Sequence, residues 1–172
     1  MIGHFEKCFA LVLRDEGGFA NHPKDPGGMT NLGVTRANWE AYIGHSATEA
    51  DMRALTPEKV KPFYKAQFWD KVRGDDLPPG VDYAVFDFAV NSGVSRSAKF
   101  LQKAVGAVED GVIGPETLKA VSKHSAPDLA KVICDMRIDF LRRLPTFGAF
   151  GKGWANRVAG VRSAATNMTT TA

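Results

Sequence analysis

Apolar positions recur at helical spacing along most of the chain. In the first segment they run from Ile2 through Phe5, Phe9 and Val12 at intervals of three and four residues, which places them on one face of a helix. The same period, together with helix-start signals, predicts further helices over residues 36–43, 57–72, 81–91, 95–105, 115–121, 128–144 and 153–162. The chain is therefore predicted to be mainly α-helical.

The helical pattern is interrupted once near the start of the chain. Residues 17–35 read GGFANHPKDPGGMTNLGVT, and so many Gly, Pro, Asn and Asp residues favour turns or a short hairpin over a helix. We expect a small irregular or β-hairpin segment near residues 18–35. At the other end, the Thr-rich tail from Thr166 is predicted to fray.

Composition narrows the class of protein without identifying it. The 172 residues are 44% hydrophobic and 24% charged, which is typical of one globular body rather than a disordered chain. No apolar run reaches the roughly 18 residues that a membrane span needs, so we expect no stable membrane insertion. Glu6, Lys7 and Arg14 interrupt the first apolar segment, so no signal peptide is predicted.

Charge is divided unevenly between the two halves. Residues 1–90 hold 10 Lys/Arg and 13 Asp/Glu, a net charge of −3, whereas residues 91–172 hold 12 and 6, a net charge of +6. A basic half is typical of contact with an anionic polymer, such as nucleic acid or a bacterial envelope, and equally of a solvated surface. Charge alone leaves both interpretations open.

Cysteine and histidine spacing gives no metal motif. Cys8 and Cys134 are too isolated for a thiolate zinc site, and none of the four histidines falls at HxxH or HxxxH spacing. We therefore predict no metal and no cofactor. Residues 33–39 resemble part of a helix-turn-helix, but no helix is predicted directly before them, so nucleic acid is not an expected partner.

Two carboxylates stand out as candidates for chemistry. The apolar stripe of the first helix, extended from Val12 by four residues, reaches Glu16. Desolvation and the negative end of the helix dipole disfavour an ionised carboxyl group there, so we expect a proton donor. Asp25, in the turn-rich segment, is expected to stay ionised. Glycosidic bond cleavage needs such a pair, although Glu16 as a helix-end residue bonded to loop amides is the structural alternative.

The segment around these carboxylates resembles a known family. Residues 15–19 (DEGGF) and 25–35 (DPGGMTNLGVT) are similar to the signature of the phage and bacterial N-acetylmuramidases of glycoside hydrolase family 108. In that family the acidic residue before Gly-Gly-aromatic is the catalytic glutamate, which corresponds to Glu16. The resemblance implies a lysozyme-like helical fold.

The same segment is also similar to the phage-type lysozyme arrangement of Glu, Asp and Thr. By that resemblance Asp25 and Thr30 complete the catalytic set with Glu16. Thr35 competes with Thr30 for the threonine role, because the loop differs in length from the phage-lysozyme pattern. Thr35 and Asn91 are the candidate substrate-binding residues.

The resemblance continues through the second half. Residues 86–93 and 101–106 resemble the start of the predicted peptidoglycan-binding region of this family, and residues 110–117 (DGVIGPET) resemble an element of helical wall-binding modules. We expect residues 1–90 to form a lysozyme-like catalytic region and residues 91–172 a helical peptidoglycan-binding region, packed as one compact body. Whether the second region contacts glycan directly stays open.

The function implied by the resemblance is peptidoglycan hydrolysis. Glu16 is expected to protonate the oxygen of the β-1,4 bond between N-acetylmuramic acid and N-acetylglucosamine. Asp25 is expected to position water or stabilise the oxocarbenium-like state, and Thr30 to hydrogen-bond the water or sugar. The expected partner is bacterial peptidoglycan, and the expected state is a monomer.

Two alternatives compete with this interpretation. A lytic transglycosylase would cut the same bond with one acidic residue and leave a 1,6-anhydro product, and a noncatalytic module would only bind the wall. Without a signal peptide, the family interpretation implies a phage or prophage endolysin. It would be made in the host cytoplasm and reach the wall in the periplasm through a holin-type lesion.

Overall fold

The protein is mainly helical in a computed structural model that describes residues 3–23 and 27–170. The helices are α1 (His4–Asp15), α2 (Arg36–Ile43), α3 (Glu49–Arg53), α4 (Pro57–Tyr64), α5 (Val81–Ser92), α6 (Val94–Val105), α7 (Pro115–Val121), α8 (Ala126–Arg142) and α9 (Phe147–Thr170). A π-helical turn, Lys65–Trp69, extends α4, and a 3-10 turn, Gly74–Asp76, precedes α5. The predicted mainly α fold is confirmed. None of these helices combines the length and hydrophobicity of a membrane span.

A small hairpin separates α1 from α2, as predicted. Strands β1 (Thr30–Asn31) and β2 (Val34–Thr35) run antiparallel, with Thr30 opposite Thr35 and Asn31 opposite Val34. The two loop residues between them have positive φ angles, 51° at Leu32 and 76° at Gly33, which is the geometry of a type I′ turn.

Local capping signals explain where several helices begin. The side chains of Thr35, Thr48 and Thr56 each accept a hydrogen bond from the backbone N–H three residues later, at the starts of α2, α3 and α4. Pro115 stands in the first turn of α7, where its missing N–H costs no helical hydrogen bond. The bounds of α2 and α7 are those expected from the sequence.

Helix α5 forms the centre of the core. Every residue from Val81 to Ala89 is buried, and the helix contacts α1 on one side and α6, α8 and α9 on the others. A helix that is buried all round needs mainly apolar residues, yet α5 also buries Asp82 and Asp87. These two carboxylates must therefore find polar partners inside the protein.

Several segments differ from the sequence-based expectation, since α3 was not predicted and α9 begins before residue 153. The helix predicted over residues 57–72 leaves α-helical geometry after Tyr64, and Pro62 inside it has no N–H to donate. The predicted fraying of the tail is wrong, because α9 is helical from Phe147 to Thr170. Its buried residues Val158, Val161, Ala165 and Met168 are spaced three or four apart, so one face of the tail packs on the core.

Candidate active site

Glu16 lies at the end of α1, directly after the buried part of its apolar face. It is the C-cap of the helix, and its N–H donates to the carbonyl of Leu13. Phe9 and Val12 are buried on the preceding turns, while the Glu16 side chain is 19% exposed. The carboxylate is therefore partly desolvated but remains reachable from the surface.

Arg157, from α9, binds the Glu16 carboxylate. Its Nη1 donates to Glu16 Oε1 at 3.0 Å, while its Nε and Nη2 donate to the Asp87 carboxylate at 3.0–3.3 Å. Burial alone would lower the pKa of Arg157, but the charges of Asp87 and Glu16 outweigh it and raise that pKa above its ordinary value. One guanidinium thus joins α1 to α5.

The same network continues into α8. Arg137 Nη1 donates to Asp87 Oδ1 at 2.7 Å, and both of these side chains are almost completely buried. Four side chains of alternating charge, Glu16, Arg157, Asp87 and Arg137, therefore form one ion chain from the surface into the core. Because a buried charge is costly without a partner, each member depends on its neighbours for its position.

The hairpin loop closes over the other carboxylate oxygen. A Cβ atom at Gly33 would lie 2.8 Å from Glu16 Oε2 and 2.5 Å from the Tyr64 hydroxyl oxygen. Tyr64 in turn donates a hydrogen bond to the carbonyl of Leu32 at 2.7 Å. Burial, followed by the charge of Glu16, raises the pKa of Tyr64 well above its usual range, so Tyr64 is a neutral donor. The turn therefore leaves room for Glu16 only because residue 33 is Gly.

The residues predicted to act with Glu16 do not all lie in the described part of the chain. Asp25 lies outside the described residues. Ala20 and Thr30, which precede and follow it in the sequence, are paired through their backbone N–H and C=O groups. Thr30 is on β1, opposite Thr35. The hydroxyl of Thr35 accepts the N–H of Asn38 at 3.2 Å, so Thr35 is engaged as a helix cap.

Asn91, the last predicted residue, lines a cleft beside Arg157. The cleft has a volume of about 420 Å³, and Asp15 and Trp154 also line it. The ring of Trp154 packs on that of Phe150, with 5.8 Å between the ring centroids, and Phe150 is 58% exposed. A pair of one exposed and one half-buried aromatic ring next to a polar cleft suits contact with the apolar face of a sugar.

Sequence reasoning missed most of the groups around Glu16. The predicted apolar surroundings were only part of its environment, because the Arg157 guanidinium lies 141 positions away in the chain and contacts it directly. One signal was available in the sequence. Asp87 interrupts an apolar run in a helix predicted to be buried, and such a carboxylate requires a cationic partner.

Comparisons with known proteins agree with this architecture. Residues 9–93 match the family model described as Glycosyl hydrolase 108, and residues 96–159 match the model described as Predicted Peptidoglycan domain. The solved structure of SagA from Brucella abortus is 48% identical to this chain, covers 98% of it and 97% of its own length, and has a TM-score of 0.88. No curated protein matches the chain.

The fold and the family match together define a lysozyme-like glycoside hydrolase. The chain belongs to glycosyl hydrolase family 108 and carries a C-terminal peptidoglycan-binding region. It is therefore a hydrolase that acts on peptidoglycan. Arg137 and Arg157 both fall inside the segment matched by the peptidoglycan-domain model, so that segment also supplies the cation that holds Glu16.

Proposed function

We propose that this protein is an N-acetylmuramidase, which hydrolyses the β-1,4 bond between N-acetylmuramic acid and N-acetylglucosamine with Glu16 as general acid. The observation that carries the proposal is the position of the Glu16 carboxylate. It is partly buried, covered by the hairpin turn and held by Arg157, which also lines a cleft together with Trp154. A carboxyl group held in this way has the reach and orientation that proton transfer to a leaving group requires.

The two oxygens of Glu16 have separate roles in this proposal. Oε1 accepts the hydrogen bond from Arg157, so Oε2 is the oxygen that carries the proton and delivers it. Because residue 33 has no side chain, the turn lies beside Oε2 without a clash. Transfer of this proton to the glycosidic oxygen allows the C–O bond to break, with positive charge developing on the sugar ring.

Asp25 and Thr30 complete the proposed mechanism. Asp25 positions the attacking water or stabilises the oxocarbenium-like state, and Thr30 hydrogen-bonds the water or the sugar. Thr30 is preferred to Thr35 for this role because the Thr35 hydroxyl already accepts the N–H of Asn38 at the start of α2.

Substrate contacts are proposed for the cleft beside Arg157. Asn91 and Trp154 line it, and Phe150 extends the aromatic surface on the solvent side. The catalytic region over residues 1–90 and the region over residues 91–172 are proposed to act as one unit, because α9 supplies both Arg157 and this aromatic pair.

Product analysis tests the bond and the reaction type. Purified peptidoglycan is digested with the protein, and the ends of the soluble fragments are identified by mass spectrometry. Fragments with reducing N-acetylmuramic acid ends are the expected result. Ends with 1,6-anhydro-N-acetylmuramic acid would establish a lytic transglycosylase instead, and binding to sacculi without any soluble fragment would establish a noncatalytic module.

Four further properties stay predictions from the family resemblance: phage or prophage origin, holin-type release, bacteriolysis and the monomeric state. The basic second half, with its net charge of +6 over residues 91–172, favours accumulation at an anionic envelope.

A further inference from the structure

A second cluster of reactive side chains lies apart from Glu16, between α1 and α5. His4 Nδ1 is hydrogen-bonded to Asp82 Oδ2, and Cys8 Sγ lies 3.9 Å from the same nitrogen. The three potential ligand atoms are all within 4.8 Å of one another. Cys8 and Asp82 are buried, whereas the His4 side chain is about one-third exposed. The proposed hydrolysis uses none of the three.

Helix geometry and capping bring these groups together. His4 and Cys8 are four residues apart on α1, so they lie on the same face, one turn apart. Asp82 is in the first turn of α5, and its Oδ1 accepts the backbone N–H groups of Gly80 and Tyr83 at 2.8 and 2.6 Å. These two bonds fix the carboxylate and leave Oδ2 directed at His4, as outer contacts do for metal ligands in general.

A cavity gives access to the cluster from solvent. It has a volume of about 690 Å³, and His4 and Asp82 form part of its wall. Phe5 and Trp69 are among the other residues that line it. An ion could enter through this cavity, and a water molecule would have space beside His4 and Asp82, which line it.

Cysteine and histidine spacing predicts no metal site, but the structure brings three ligand atoms together; we propose that His4 Nδ1, Cys8 Sγ and Asp82 Oδ2 form a binding site for a divalent cation of the Zn²⁺ class, with water as the fourth ligand. The chemistry of the three ligand atoms favours an ion of this class. Zn²⁺ binds imidazole nitrogen, thiolate sulfur and carboxylate oxygen in four-coordinate sites. Mg²⁺ and Ca²⁺ require oxygen ligands throughout, so they are poor candidates for a site with Cys8 and His4.

Binding requires two protons to move. The Cys8 thiol loses its proton to solvent and the resulting thiolate sulfur bonds to the ion. The proton between His4 Nδ1 and Asp82 Oδ2 is transferred through solvent to His4 Nε2, so that the imidazole stays neutral and Nδ1 and Oδ2 each donate a lone pair to the ion. Burial, followed by the charge of Asp82, raises the pKa of the Cys8 thiol well above its usual range. The thiol is therefore neutral until the ion supplies a compensating charge.

Titration of the full-length protein with Co²⁺, followed by absorption, tests the site. Cobalt replaces zinc in such sites, and a thiolate ligand gives a charge-transfer band in the near ultraviolet. The proposal predicts one equivalent of Co²⁺ with this band, displaced by Zn²⁺. Cys8→Ser should abolish the band, and His4→Gln should weaken Co²⁺ binding at least about tenfold. Cys134→Ser removes the other buried thiol and should leave the charge-transfer band and the affinity for Co²⁺ unchanged.

Circular dichroism of each variant before titration separates loss of binding from loss of folding. His4→Gln is the decisive variant if Cys8→Ser fails to fold, because His4 is the partly exposed ligand. The proposal is wrong if the wild-type protein shows no charge-transfer band, if the band survives in Cys8→Ser, or if His4→Gln binds Co²⁺ as tightly as wild type. Peptidoglycan hydrolysis does not enter these readouts, so they are independent of the proposed function.

Discussion

Substitution of Gly33 tests whether the hairpin turn positions the carboxylate of Glu16, the proposed general acid. In Gly33→Ala the new Cβ would meet Glu16 Oε2 and the Tyr64 hydroxyl, so we expect peptidoglycan hydrolysis to fall by about 10²-fold, as for other displacements of about 1 Å. Gly44→Ala is the matched control. Gly44 has a similar φ angle of 81° but nothing within 4 Å of the added atom.

The two variants should therefore share a loss of stability, roughly 1–2 kcal/mol for an L residue in the left-handed region, and differ in activity. Urea denaturation gives the first quantity and the rate of fragment release gives the second. Equal activity in Gly33→Ala and Gly44→Ala would contradict the proposed contact between the turn and Glu16.

Substitutions at Arg157 test whether the ion chain holds Glu16 in position for catalysis. Arg157→Met removes the donor to Glu16 Oε1 and leaves Asp87 with Arg137 alone, so we expect kcat on peptidoglycan to fall by about 10²-fold. Arg157→Lys keeps the charge but cannot contact both carboxylates as a fork, and it should recover part of the loss.

Arg162→Met is the control for this comparison. Arg162 is on the same helix but is exposed and pairs with Asp135 at the surface, so its loss should leave the activity unchanged. Steady-state kinetics separates the two roles of Arg157, because a positioning residue lowers kcat whereas a sugar-binding residue raises KM. A change confined to KM would make Arg157 a substrate contact instead.

At the scale of residues, the sequence predicted the position of Glu16 at the end of the apolar face of α1 but not the groups that contact it. The apolar stripe of α1 leads to Glu16 by local periodicity, and the Gly-rich run predicts the turn that covers it. Arg157 contacts Glu16 across 141 positions, and no local pattern encodes a pairing of that range. The burial of Asp87 requires some cation, but the sequence does not identify which.

Among the elements, those with local start signals were the most predictable. Arg36–Ile43 and Pro115–Val121 have the predicted bounds because a capping Thr and a first-turn Pro mark their starts. The length of α9 was not predictable in this way. Its polar Thr-rich sequence favours fraying, and only packing of Val161, Ala165 and Met168 on the core holds it helical.

Helix α9 also carries the aromatic pair of Phe150 and Trp154, which gives a prediction about substrate binding. Phe150→Ala removes an exposed ring that packs on Trp154 beside the cleft. We expect a severalfold rise in KM for polymeric peptidoglycan, since aromatic contacts contribute about 1 kcal/mol, with kcat and thermal stability nearly unchanged.

Val108→Ala provides the comparison for Phe150→Ala. Val108 is the most exposed of the large apolar residues in the described chain and does not line the cleft. If both substitutions leave KM at the wild-type value, the aromatic pair takes no part in substrate binding.

The whole molecule should unfold as one unit. Helix α5 is buried between α1 and the helices of the second half, and the ion chain crosses the same boundary through Asp87. Differential scanning calorimetry should show a single transition, with the calorimetric and van't Hoff enthalpies equal. Two resolved transitions would contradict this account.

Asp87→Asn extends the same experiment. It leaves the buried Arg137 without its anionic partner, so we expect a loss of about 3–5 kcal/mol and a lower midpoint for the whole transition. A midpoint that fell for only part of the protein would show that the two regions unfold separately.

The central claim is that Glu16 is the acid of a peptidoglycan hydrolase, and its most direct test is fragment release from purified peptidoglycan by wild type, Glu16→Gln and Glu109→Gln. The Gln side chain at position 16 keeps the size of Glu but has no proton to deliver, so we expect a loss of roughly 10³-fold or more. Glu109 is exposed on a loop, and its variant should match wild type. Undiminished release by Glu16→Gln would contradict the account and assign catalysis to another residue.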